Sequence, residues 1–392
     1  MEASLYLHVP FCAGACDYCD FYSVSATETD PRLSLFVDNL LEDVNKSIRF
    51  HDVSAVPTLY IGGGTPSLLG AALIERLLTG VHALLPSLPG EVTVEANPES
   101  ATPDFIRACE ASGVTRLSLG VQSLQPETRA AVGRIGNPDR ILSAVEAVNR
   151  RFSGSLSVDL ISGLPLQPLE SLADDIDFAA SCGADHVSLY ALTLEPGTAL
   201  HGRAAAGTAE LPSRDTADEL WIAGRDALER RGFRQYEVSN FAVPGRESRH
   251  NQRYWRLESY IGCGPGAVGT VVNETGATAV RHAWEADLSR WLRGEDHRPE
   301  RETISRKEFL IECLMMGFRT RSGVDGSLFR RRFGAGPEAF VGRTLERWRA
   351  RGLAEGGRPA LNRDGLLRLN AFLLECLEEL DDSYPRYEER RR

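Results

Sequence analysis

Lysine is almost missing from this chain of 392 residues: Lys46 and Lys307 are the only two, and neither stands in a glycine-rich motif. A phosphate-cradling P-loop and a lysine Schiff base are therefore not expected. Positive charge as a whole is in deficit, with 44 basic against 55 acidic side chains. The deficit is concentrated in the first 300 residues, which carry 25 basic and 40 acidic groups, whereas the last 92 carry 19 and 15. That balance argues against a general nucleic-acid binder. No apolar run approaches the ~18 residues a membrane-spanning helix needs, so no transmembrane segment is expected. No basic region precedes the first strand, which speaks against a signal peptide. Cysteine is sparse too. Of the eight, Cys109, Cys182, Cys263, Cys313 and Cys376 are scattered without disulfide spacing. A reducing, cytoplasmic setting follows.

The other three cysteines are crowded together. Cys12, Cys16 and Cys19 fall in eight residues as C-x3-C-x2-C, directly after the apolar run Leu5–Val9. Thiolates at this spacing can grip one iron–sulfur cluster from a single loop, and three thiolates leave one iron of a [4Fe–4S] cube open to another ligand. Two alternatives compete: a structural Cys3His zinc site with His8, and plain buried thiols. Zinc sites draw on two separated ligand pairs. Phe11, Tyr18, Phe21 and Tyr22 around the loop suit a shielded cluster better.

At 42% hydrophobic and 25% charged, the chain has material for one large packed domain and a smaller one. Six apolar runs alternate with helical patterns: Leu5–Val9, Thr58–Ile61, Val92–Ala96, Arg116–Val121, Leu156–Ile161 and His186–Ala191. Strand alternating with helix predicts an α/β fold with a parallel sheet. Six units are two short of a closed barrel, so an open, partial TIM-type (β/α)6 barrel is expected, with its site at the C-terminal strand ends. Polar groups stand at those ends: Gly62-Gly63-Gly64-Thr65 after the second run, Glu95 at the third, Gln122 at the fourth, Asp159 on the fifth, and Arg134 in the loop that follows the fourth. The glycines allow a ligand close to backbone N–H groups, and Arg134 can pair with a carboxylate.

Residues 1–240 are assigned to the barrel and 241–300 to a connecting segment. The latter contains His250-Asn-Gln-Arg-Tyr254-Trp255, an imidazole beside two large aromatics, which suits a flat macrocycle or a plain core histidine. Its literal G-x-G-x-x-G (Gly264 to Gly269) is followed by the extended-looking Thr270-Val-Val-Asn rather than a helix, so a dinucleotide site is rejected. Residues 301–385 read as helices, with a small hairpin over Gly352–Leu361: a winged-helix-like C-terminal domain. Arg330, Arg331 and Arg332 read as a solvated face, and 386–392 as a disordered tail.

Taken together, these residues resemble the radical S-adenosylmethionine (SAM) superfamily, over nearly the whole chain. Within it the chain is similar to the oxygen-independent coproporphyrinogen III oxidase group of porphyrin metabolism, and most of all to HemW-type heme chaperones. The resemblance implies a [4Fe–4S] cluster on Cys12, Cys16 and Cys19. It implies SAM contacts at Tyr6, Gly63, Gly64, Thr65, Glu95, Gln122, Arg134 and Asp159, a second-SAM position at Tyr18, and a HemN_C-like C-terminal domain. Two departures separate the chain from the oxidases. Phe21 stands where they have a further cysteine, and their N-terminal extension is absent. The His250, Asn251, Tyr254, Trp255 signature matches the chaperones, although their Gly-Ala-His is here Gly266-Ala267-Val268. The implied function is binding heme and delivering it to hemoproteins, with His250 the expected iron ligand or contact, Tyr254 and Trp255 facing the porphyrin, and Arg249, Arg253 and Arg256 at its propionates. Alternatives are a coproporphyrinogen oxidase and a radical SAM enzyme with another substrate. The resemblance leaves a homodimer, peripheral contact with a membrane and the recipient hemoprotein open.

Overall fold

The computed structural model describes residues 1–134, 136, 138–294 and 299–391; the end of the expected tail, Arg392, lies outside them. The six anticipated strands are β1 (Ser4–Val9), β2 (Thr58–Gly63), β3 (Glu91–Ala96), β4 (Arg116–Gln122), β5 (Ser155–Ser162) and β6 (His186–Ala191). Each pairs in parallel with the next. The intervening helices are α1 (Arg32–Phe50), α2 (Gly70–Leu84), α3 (Pro103–Ala111), α4 (Pro138–Arg151) and α5 (Leu169–Ser181), with α6 (Arg214–Arg230) after β6. In α1, Leu33, Phe36, Val37, Leu40 and Val44 recur at helical spacing and are buried, so one stripe covers the sheet. Pro66–Leu84 is by length and composition apolar enough to cross a membrane, contrary to the expectation that no run is. Its residues Ile74, Leu77, Leu78 and Val81 are instead packed into the barrel core.

The sheet does not stop at six strands. After β7 (Arg234–Gln235), β8 (Asn240–Ala242) and α7 (Arg249–Trp255), the chain returns to β1. It adds β9 (Tyr260–Cys263), β10 (Val268–Asn273), β11 (Thr278–Ala283) and β12 (Glu300–Ile304). The order is β12-β11-β10-β9-β1-β2-β3-β4-β5-β6-β8-β7, with β9 parallel to β1. The sheet is open, not a closed barrel. Much of the segment read as a connector, from Tyr260 to Ala283, therefore builds one wing of the sheet together with β12. Residues 236–239 form the turn between β7 and β8.

Helices α8 (Arg306–Gly317), α9 (Gly326–Phe333), α10 (Glu338–Ala350) and α11 (Leu369–Arg391) follow. Ser305 opens α8 with a capping box completed by Glu308, the arrangement that satisfies two otherwise orphaned helix-end donors. The predicted hairpin is one antiparallel bridge, Ala354 to Leu361. These helices share a second core with Leu257, Ala277, Ala279 and Ile304 of the sheet wing. Two expectations are corrected here. Arg332 is not solvated: it is buried, holds Glu274 at 2.7 and 2.8 Å and donates to the carbonyls of Arg256 and Leu257. The tail is not disordered through 391 but continues α11, because Tyr387 packs on Phe340 and its hydroxyl reaches the Phe333 carbonyl.

Candidate functional site

The cysteine loop leaves the C-terminal end of β1 and is closed at its base. Phe11–Cys12 pairs in parallel with Val24–Ser25, and the Cys19 amide turns back to the Cys16 carbonyl at 3.1 Å. Asp17 ties the loop to the far side of the barrel. Its amide bonds the Val132 carbonyl, its carbonyl accepts from Leu200, and its carboxylate pairs with Arg203. Phe11 is buried edge-on against Phe36. Phe21 is not part of any shield: it is 68% exposed.

Cys12 lies 3.4 Å from the Thr65 hydroxyl, and Cys16 accepts from Arg134 Nη1 at 3.4 Å. Burial pushes the Cys12 and Cys19 thiols up, and the neighbouring cysteines add to the rise. Metal binding must therefore displace protons from these groups. Among the described residues no three His, Cys, Asp or Glu side chains are already gathered into a metal cage. The donor set fits an iron–sulfur cluster: three soft ligands on one loop, with the half-buried Arg134 guanidinium beside one of them to offset the negative charge.

The strand ends supply the second part of the site. At Gly64 an added Cβ would meet the Phe11 carbonyl at 2.7 Å, and at Gly63 (φ +115°) it would meet the His8 ring at 2.6 Å. Glycine is what lets this turn close on the cysteine loop. Glu95 accepts from the Tyr60 hydroxyl at 2.6 Å and the Gly63 amide at 3.1 Å. Burial pushes its carboxyl up to about 7 against those bonds, and Asp159 adds to the rise. Asp159 accepts from Ser118 at 3.0 Å, and burial raises it as well. Gln122 sits at φ +68° beside a register shift in β4, a conformation a non-glycine residue adopts at a cost. It is brought beside Arg134, which also reaches the Gly120 carbonyl.

The Gln122 Oε1, Asn97 Oδ1 and Arg134 Nε atoms are buried without a hydrogen-bond partner among the described residues. Orphaned polar atoms at a strand-end mouth call for a polar ligand, and SAM, with its ribose, ammonium and carboxylate, fits this set. Asn97, and the supports Tyr60 and Ser118, were given no role from sequence; the alternation of β2 and β4 was the available signal for Tyr60 and Ser118, and the place of Asn97 directly after β3 the signal for it. Tyr6 and Tyr18 are half-buried and have other contacts. Tyr6 bonds the Nδ1 of His8 at 2.9 Å, and Tyr18 packs against the small core of Val132, Ile161, Leu164 and Leu200.

His250 does not fit an iron ligand. Its ring is fully buried, with Nδ1 at 2.8 Å from Thr58 Oγ1 and Nε2 at 2.7 Å from the Tyr254 hydroxyl. Both nitrogens are committed, and burial pushes the ring down to about 3. The core-histidine alternative is the one the geometry matches. The expected propionate partners are engaged elsewhere: Arg249 with the Gly90 carbonyl, Arg253 with Glu2 and Glu258, and Arg256 with Gln252. Tyr254 and Trp255, in contrast, help wall a cavity of about 750 Å³ beside the cysteine loop, together with Phe21, Tyr22, Tyr190 and Val268.

A family model described as the radical SAM superfamily matches residues 6–179, and one described as the HemN C-terminal domain matches residues 304–371. Fold and cysteine loop thus define a radical SAM protein, a class in which a [4Fe–4S] cluster and SAM are implied. Relatives narrow this further. A heme chaperone HemW of Lactococcus lactis is 33% identical over 87% of this chain and 88% of its own length. HemW of Escherichia coli is 37% identical over 79% and 81%. HemW of Bacillus subtilis is 30% identical over 96% of this chain and all of its own. The chain belongs to the HemW family. Among solved structures, coproporphyrinogen III oxidase (HemN) of Escherichia coli shares the fold, with a TM-score of 0.78 at 21% identity, covering 96% of this chain and 90% of that one.

Proposed function

We propose that this protein is a heme chaperone, one that binds heme and passes it to recipient hemoproteins from a radical SAM scaffold. The observation that carries this reading is the near full-length kinship with curated heme chaperones. The exposed Phe21, at the position where the oxidases have a further cysteine, supports it. Cys12, Cys16 and Cys19 would hold the cluster; Gly63, Gly64, Thr65, Glu95, Gln122, Arg134 and Asp159 would receive SAM. A site-differentiated cluster supplies an electron for reductive cleavage of SAM. The chain's own groups do the positioning: backbone amides approach through Gly63 and Gly64, Arg134 holds a carboxylate or the thiolate side of the loop, and Asp159 accepts from hydroxyls.

Anaerobic reconstitution tests the scaffold. Wild type should take up about four irons and four sulfides, the content of one cubic cluster, and a Cys12/Cys16/Cys19→Ala triple variant should take up none. A full cluster in the triple variant, or stoichiometric zinc in wild type purified without oxygen, contradicts the assignment. Heme should bind saturably, and coproporphyrinogen III with SAM and a reductant should not be decarboxylated. Rapid substrate-dependent cleavage of SAM with that porphyrinogen would favour the oxidase instead.

A further inference from the structure

The sheet wing has two faces, and adjacent residues of its strands point to opposite ones. Arg281 and Thr270 face the 750 Å³ cavity beside the cysteine loop. His282, Gly269 and Val271 face a second cavity of about 380 Å³, enclosed between the C-terminal half of α1 and strands β9 to β11.

The two differ in chemistry. The first carries Asp20 and Glu312, with the proton-holding carboxyl of Glu237, against one cation, Arg281, whose guanidinium is already held by Glu302 at 3.0 Å and Glu312 at 2.9 Å. A sulfonium cation is welcome there, whereas a macrocycle with two carboxylates is repelled. The second carries two imidazoles and one carboxylate, Asp43, which accepts from the Gly264 amide at 2.8 Å. His282 is 8% exposed, and its Nε2 is buried with no hydrogen-bond partner among the described residues. The His51 ring meets it at 5.3 Å between centroids, nearly perpendicular. Phe50, 68% exposed, stands edge-on to His51 at 4.8 Å and carries the Arg301 guanidinium 5.3 Å from its ring centre. Lys46, paired with Glu42 at 2.7 Å, is a second cation at the rim.

Burial lowers both histidines, with Arg301 pushing the same way; His51 falls to about 4. Both rings are therefore neutral at neutral pH, the form that binds iron. A buried imidazole nitrogen without a partner carries a desolvation penalty that a ligand removes. An aromatic wall with cations at its mouth matches a flat apolar ring bearing acidic groups.

We propose that heme is held in this second cavity, its iron on Nε2 of His282 and its carboxylates at the rim formed by Arg301 and Lys46. The proposal rests on the heme-chaperone reading and gives it an iron ligand that His250 cannot be. It also separates cargo from cofactor: heme on one face of the wing, SAM and cluster on the other.

The test is a heme titration of the cluster-bearing protein, followed by the Soret difference band, for wild type, His282→Ala and Arg301→Glu. Wild type should bind one heme. His282→Ala should bind at least tenfold more weakly with a shifted Soret maximum, and added imidazole should restore the wild-type spectrum. That rescue would not occur if the variant had merely lost its fold. Arg301→Glu alters an exposed side chain and should weaken binding several-fold without moving the band. Wild-type affinity and spectrum in His282→Ala would overturn this site while leaving the chaperone reading intact. No saturable heme binding by wild type would overturn both. Uptake of a bare divalent metal ion lost in His282→Ala, with heme binding unchanged, would also overturn the heme assignment of the cavity.

Discussion

At the scale of single residues, the chain separates groups that serve a ligand from groups that serve the fold, and residue type alone does not reveal which is which. His250 and Asp159 are the clearest pair. The His250 ring satisfies two buried hydroxyls and is satisfied by them. His250→Ala should therefore lower unfolding stability by about 2–4 kcal/mol, the range for stranding buried hydroxyls and emptying a ring-sized space. Denaturant unfolding should show this loss while the Soret spectrum of bound heme stays unchanged. A changed spectrum in a stably folded variant would return His250 to the iron. Asp159 stands in the C-terminal half of β5 with raised proton affinity. Asp159→Ala should weaken SAM by about 1–3 kcal/mol, the loss of one or two hydrogen bonds; calorimetry on reconstituted protein giving unchanged affinity would remove it from the site.

At the scale of elements, the turn between β7 and β8 joins the barrel to the C-terminal helices. Glu237 in it bridges to Thr320, and Tyr236 accepts from the Arg321 amide at 2.9 Å. Glu237 is fully buried, its Oε2 has no partner among the described residues, and burial pushes its carboxyl from an ordinary 4.5 up to about 7. A folded-state value above the unfolded one means that the folded chain keeps the proton longer. The stabilisation is complete below about pH 4 and is lost as pH rises through 7. Thermal unfolding of wild type should fall over pH 5 to 8 more steeply than that of Glu237→Gln; equal slopes would contradict the buried, proton-holding carboxyl.

The elements were unequally legible in the sequence. All six barrel strands and their helices were readable because both faces of a parallel strand are buried, leaving dense apolar runs such as Leu5–Val9. The sheet wing was not. Thr278-Ala-Val-Arg-His-Ala and Glu300-Arg-Glu-Thr-Ile mix charge with small apolar residues, and Gly262 to Gly269 reads as a loop. Their pairing with β1 is a long-range fact that local pattern does not carry. The cysteine loop and strand-end polar groups were legible because catalytic geometry in such sheets follows chain order. The commitment of both His250 nitrogens was not, since its partner Thr58 is 192 positions away.

At the scale of the molecule, one continuous sheet carries two different environments. The acidic mouth beside the cysteine loop suits a cationic cofactor, and the cation-rimmed cavity behind the wing suits an acidic aromatic cargo. A chaperone needs more than affinity, since its cargo must leave when a recipient arrives. Passive release and direct hand-over differ kinetically. If heme simply dissociates, the transfer rate is set by that step and does not depend on recipient concentration; if the recipient docks first, the rate climbs with it. The most direct test is stopped-flow transfer from the heme-loaded, cluster-bearing protein to a panel of apo-hemoproteins at increasing concentration. The account predicts a rate that rises with concentration for at least one recipient. Rates that are flat and identical for every recipient, or a protein that carries no heme to transfer, would contradict it.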